Sequence, residues 1–130
     1  MRYTIALFAI FTAATSGSLA RQAPKTVNDS VYSEAQAARG QAIFEGTCTA
    51  CHDTARFTGG DFMTAWTGKS MGELFKVVST TMPEDNPGAL KPQQYVDVLA
   101  YFLKLNEFPA GSEELKEEAM NGIKIDKKGR

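Results

Sequence analysis

The sequence predicts an all-α domain of three main helices and short helical turns, wrapped around an organiser that the polypeptide does not itself supply. Helix start signals precede apolar runs at three places. No segment is a convincing strand. The loops between the helices are too long for a compact domain with nothing else to hold them.

The first helix is expected to begin after Ser33, because Ser33-Glu34-Ala35-Gln36 has the form of a capping box. It should close near Gly46, a natural C-cap. Gly40 in its interior costs about 1 kcal/mol relative to alanine, so its presence points to close approach by another backbone. From Cys51 to Lys69 there are two adjacent glycines and no long period, which reads as loop with a short helical turn around Asp61 to Thr67. Ser70-Met71-Gly72-Glu73 is a second capping box, opening a helix with an apolar face of Leu74, Phe75, Val77 and Val78. Thr80, Thr81 and then Pro83 end it, because proline disfavours helical geometry in the residue before it. The third helix is the best marked: Pro92 suits a first turn, and Tyr95, Val98, Leu99, Phe102 and Leu105 recur at helical spacing. This segment is apolar nearly all round and is expected to be buried.

The two ends read differently. Residues 1–20 carry one charge, Arg2, an apolar run from Ile5 to Ala14 and the small-residue ending Ser18-Leu19-Ala20, the layout of a secretory signal peptide. The run falls short of the ~20 residues that cross a bilayer, so no membrane span is expected in the mature chain. Residues 21–31 are polar and aperiodic, a flexible lead-in. Residues 32–108 form the domain proper, and 109–130 an extension in which Ser112 caps a short, solvated helix with Glu113 and Glu114 in its first turn. Fourteen basic residues less Arg2, against 15 acidic ones, leave a net charge of about −2. With no basic stripe and no interleaved aromatics, nucleic-acid binding is not expected.

Both cysteines and the only histidine lie together in Cys48-Thr49-Ala50-Cys51-His52. C-x-x-C-H is the attachment signature of a c-type haem. Thiols three positions apart can reach both vinyl groups on one porphyrin edge, and the next residue brings an imidazole to the iron. Other readings are weaker. A disulfide here would close too short a loop to act as a staple. A redox-active CxxC usually follows a strand in a βαβ pattern, and structural zinc needs four protein ligands where this motif offers three. A haem is also the missing organiser, so the apoprotein should be poorly structured.

With His52 as proximal ligand, the sixth position decides between electron carrier and ligand-binding site. Met63, Met71, Met82 and Met120 compete for it. Met82 leads, because Pro83 and Pro87 stiffen its loop and Gly88 permits a tight turn. Met71 lies in the first turn of a predicted helix, Met63 close to the attachment motif, and Met120 in the expected solvated tail; packing or surface roles suit them better. An iron open at that position is the remaining alternative.

In this order, CTACH, TMPEDNPGAL and QQYVDVLAYFLKLN resemble monohaem class I cytochromes c of the bacterial periplasmic type, over about Tyr32 to Asn106. The resemblance implies a class I cytochrome c fold around one covalent haem c. It implies that the first and last helices cross at Gly40 and Phe44, against the Tyr101 region. It also implies that a tryptophan or arginine hydrogen-bonds a haem propionate, for which Trp66 and Arg56 are the candidates. One feature departs from the family pattern: many members carry a proline soon after CxxCH whose carbonyl accepts from the proximal histidine. This chain has none before Pro83, leaving a carbonyl around Thr58 to Gly60 as the substitute. The function implied is periplasmic electron transfer, not enzyme catalysis, with His52 and Met82 as axial ligands. Electrons would pass from an exported dehydrogenase, such as a quinoprotein, to a terminal oxidase. A haem-based ligand-binding or sensor domain with displaceable Met82 is the alternative.

Overall fold

Ser33 opens the first helix, α1 (Glu34–Ile43), its hydroxyl accepting from the Gln36 amide at 3.1 Å in a computed structural model that describes residues 24–129. The expected signal peptide lies outside the described residues. Only half of the capping box forms. The Gln36 side chain, fully buried, turns away and takes both backbone groups of Leu115, donating to its carbonyl at 2.9 Å and accepting from its amide at 2.7 Å. Gln36→Leu would strand the Leu115 amide and carbonyl without partners, at about 1–3 kcal/mol for a buried unpaired group. Chemical denaturation should read a loss of about 2–3 kcal/mol, and limited proteolysis should cut first near Leu115.

After α1 the chain continues in a π-helical turn, Phe44–Cys48, then a 3-10 turn, Thr54–Phe57, and a short helix, α2 (Gly59–Trp66). Helix α3 (Met71–Thr81) has its capping box complete: Glu73 N–H donates to Ser70 Oγ at 3.2 Å, and Ser70 N–H to Glu73 Oε2 at 2.7 Å. That amide, with the Ser70 hydroxyl, holds the Glu73 carboxyl below its ordinary range. Helix α4 (Pro92–Leu105) starts on Pro92 and is buried continuously from Tyr95 to Leu103.

The principal packing is α1 on α4. Gly40 makes it possible: a Cβ there would stand 1.8 Å from the Asp97 carbonyl oxygen. One turn on, the Phe44 ring lies 5.6 Å from Tyr101 and 5.9 Å from Phe102. Asp97 is a carboxylate buried within apolar α4, 4% exposed, and it is tolerable because Arg39 reaches it at 3.0 Å and Gln93 donates to it at 2.8 Å. Arg39 also holds Glu114 at 2.9 Å, tying the tail to the same crossing. Tyr32 donates to the Phe108 carbonyl at 2.8 Å, and its pKa is pushed up to about 12, chiefly by burial.

The tail corrects the sequence reading. No helix starts at Ser112, and the tail, though most of its residues are exposed, is pinned to the core by four side chains: Leu115, Met120, Ile123 and Ile125 are each 4% exposed or less. Instead a 3-10 turn, Glu117–Gly122, leads into β2 (Ile123–Lys124), which pairs in parallel with β1 (Lys25–Thr26). The stretch read as a flexible lead-in thus supplies a strand, and its Val27 and Val31 enter the core. No strand was expected, yet Ile123-Lys124-Ile125-Asp126 alternates inside and outside, a period-two signal hidden by the surrounding charge. The Gly68 amide donates to the Ile125 carbonyl and the Ile125 amide to the Lys69 carbonyl, both at 2.8 Å, so the tail straps the turn between α2 and α3. Among the described residues, no helix is long and apolar enough to cross a membrane.

Candidate haem pocket

Two amides fold back onto one carbonyl after the π-helical turn: Cys51 N–H and His52 N–H both donate to the Cys48 carbonyl, at 3.1 and 2.9 Å. This tight return brings Cys48, Cys51 and His52 onto the lining of a single cavity of about 850 Å³. Its other walls are mainly apolar, with Phe62 and Trp66 from α2, Leu74 and Val78 from α3, and Val98 and Phe102 from α4. Both cysteines are free thiols. Burial pushes the Cys48 thiol up, the opposite of an activated redox thiolate. Among the described residues, no three His, Cys, Asp or Glu side chains gather into a bare-ion site.

Met82 lines the same cavity. It stands at the C-terminus of α3, its amide donating to the Val78 carbonyl at 3.0 Å, and Gly88 N–H donates to the Met82 carbonyl at 3.3 Å. Gly88 has φ of 79°, the conformation its loop requires of a glycine. The stronger hold on the loop comes from Tyr95, 3% exposed, whose hydroxyl donates to the Met82 carbonyl at 2.7 Å and accepts from the Leu90 amide at 3.3 Å. Sequence reasoning placed Tyr95 only on the apolar face of α4. A buried tyrosine hydroxyl must find a partner, and that was the available signal.

The other three methionines do not line the cavity. Met71 and Met120 are fully buried and Met63 is partly buried against the core. Met120 therefore stands inside, not in a solvated tail. Arg56, exposed on the 3-10 turn, and Trp66, half-buried at the end of α2, both reach the cavity. Lys69 Nζ sits 4.7 Å over the Trp66 ring.

No protein group among the described residues hydrogen-bonds the His52 ring, so the expected carbonyl from Thr58 to Gly60 is not in that role. Its neighbour is the Phe57 ring, edge-on at 5.4 Å and 82°.

The donor set fits a haem held by its edge: two thiols three positions apart, an adjoining imidazole and a thioether all open onto one apolar cavity of ligand-binding size. A family model described as cytochrome c oxidase, cbb3-type, subunit III matches residues 35–102, from the first turn of α1 to Phe102 in α4. No curated protein and no solved structure matches the chain. The matched span contains the cysteine-histidine motif, Met82 and both helices of the Gly40 crossing, and the chain belongs to this family, as a monohaem class I c-type cytochrome with the all-α cytochrome c fold.

Proposed function

We propose that this protein carries one haem c joined to Cys48 and Cys51, with His52 and Met82 as axial ligands, and that it shuttles single electrons in the periplasm. The observation that carries this reading is that both thiols, the imidazole and the thioether of Met82 line one cavity. The haem, when bound, supplies a one-electron couple at its iron. The protein's residues supply the rest. Apolar walls from α2, α3 and α4 would limit water around a bound haem, and the His52 imidazole with the Met82 thioether as ligands would raise the potential of its couple. Two protein ligands leave no coordination position for a substrate, which favours a carrier over an enzyme. Arg56 and Trp66, at the cavity lining, offer a cation and an indole N–H to the propionates. Cys51 is exposed, so the thioether edge lies where a partner can approach.

The donor in this reading is an exported dehydrogenase, a quinoprotein among the candidates, and the acceptor a terminal oxidase. The family description, a subunit of a cytochrome c oxidase, supports the respiratory side of that assignment. Contact with each partner would be brief and small, below about 1,200 Å². Co-purification from periplasm would name the donor. Carbon monoxide separates the carrier from the sensor: the ferrous protein at neutral pH is expected not to bind it, whereas stoichiometric binding would mean that Met82 is displaceable and the sensor reading correct.

Tyr95→Phe gives a second check. Losing the hydroxyl leaves the Leu90 amide unpartnered and weakens the hold on the Met82 carbonyl, at a cost of about 1–2 kcal/mol. The near-infrared sulfur-to-iron band of the ferric protein should then disappear on heating at a lower temperature than in the parent. An unchanged temperature would mean that Tyr95 does not hold the Met82 loop.

A further inference from the structure

We propose that Phe57, braced by Asn106, is the group that orients the ring of His52, and that packing takes the place of a hydrogen bond there. The proposal rests on the reading of His52 as an iron ligand. Rings at His52 and Phe57 meet edge-to-face at 5.4 Å. Phe57 is held in turn by two other rings, stacked on Phe102 at 4.4 Å and 12° and meeting Phe44 edge-on at 5.5 Å and 86°. Those two partners belong to the α1–α4 crossing, the most extensive packing of the fold.

The backbone under Phe57 is fixed as firmly. Asn106, the residue that ends α4, donates from Nδ2 to the Phe57 carbonyl at 2.7 Å and to the Phe102 carbonyl at 2.8 Å, and accepts at Oδ1 from the Gly59 amide at 3.1 Å. Both donors and the acceptor of one amide side chain are thus used to join the loop after His52 to the last turn of α4. The Phe57 carbonyl, close in sequence to the positions from which an acceptor could reach His52, is already engaged by Asn106. One continuous path of stacked rings and short hydrogen bonds therefore runs from α4 to the imidazole.

This arrangement has an electronic consequence. A ligating imidazole that donates its second N–H to an acceptor becomes more basic and stabilises the oxidised metal. An aromatic edge offers no such acceptor, so Phe57 keeps the ring in place without raising its basicity. Replacing Phe57 by a smaller side chain frees the ring to turn and lets water reach its free nitrogen, which lowers the reduction potential.

The test uses the holoprotein. Phe57→Leu is expected to lower the one-electron reduction equilibrium about tenfold, about 59 mV, and to change the pattern of haem-methyl shifts in the ferric proton spectrum, which reports the plane of the axial ligands. Phe57→Tyr retains the ring edge and should leave both readouts as in the parent. Asn106→Ala leaves the stacked rings but releases the loop, and should move both readouts in the same direction by a smaller amount. Should Phe57→Leu and Asn106→Ala keep the parent potential and shift pattern while the near-infrared sulfur-to-iron band persists, the proposal is wrong although the axial assignment stands. A parent protein that never shows the band overturns the axial assignment instead.

Discussion

Gly40→Ala is expected to destabilise the holoprotein by about 3 kcal/mol or more, at the upper end of the overpacking range. In an exposed helix the same change would stabilise by about 1 kcal/mol, so the sign depends wholly on what the new methyl meets. It meets backbone. The Cβ would lie 1.8 Å from the Asp97 oxygen, 2.4 Å from the Asp97 carbonyl carbon and 2.9 Å from the Val98 nitrogen. No flexible side-chain tip is available to move aside, so α1 and α4 must separate, carrying Phe44 away from Tyr101 and Phe102. Gly46→Ala is the control, since a Cβ there has nothing within 4 Å and should change stability little. Guanidinium unfolding of both variants makes the comparison. A Gly40→Ala protein within about 0.5 kcal/mol of the parent would contradict the backbone contact.

The larger effect should follow loss of the haem. Cys48→Ser/Cys51→Ser, purified free of haem, is expected to lose its fixed tertiary structure while retaining part of its helix content. The cavity of about 850 Å³ is mainly apolar and opens to solvent. Without its occupant, apolar walls from three helices face water and lose the burial that would hold α2, α3 and the Met82 loop against one another. Near-ultraviolet circular dichroism and protease sensitivity read the result. A haem-free double variant that unfolds cooperatively at the parent's midpoint would show that the polypeptide organises its own loops.

Much of the fold was legible because its signals are local. The Ser70 capping box, Pro92 at the start of α4 and the periodic apolar positions of α4 need only a few neighbouring residues to be recognised. Gly40 was legible for a different reason: a glycine inside a helix is costly, so its presence implied a close neighbour, and that neighbour is Asp97. The candidate site was legible where its residues are contiguous, as in CTACH, or lie in a loop of distinctive composition, as with Met82.

What the sequence concealed are partnerships between residues far apart. Gln36 and Leu115 are separated by 79 positions, Asn106 and Phe57 by 49, and no local pattern announces either pair. Gln36 even carried a misleading signal, since its place three residues after Ser33 suits a capping box, but tertiary burial gave its amide a different partner. The tail misled through its charge. Glutamates and lysines dominate residues 113–128 and suggest a solvated helix, while four apolar residues at irregular spacing determine where the chain goes. Tyr95 shows the same limit, for its apolar body was legible and the target of its hydroxyl was not.

The most direct test of the axial assignment is the near-infrared absorption of the ferric protein, recorded for the parent and for Met82→Ala. The account predicts a sulfur-to-iron band in the parent that is absent from the variant, with a fall in reduction potential exceeding about 59 mV. A band that survives in Met82→Ala, or a parent protein that lacks it, would contradict ligation by His52 and Met82.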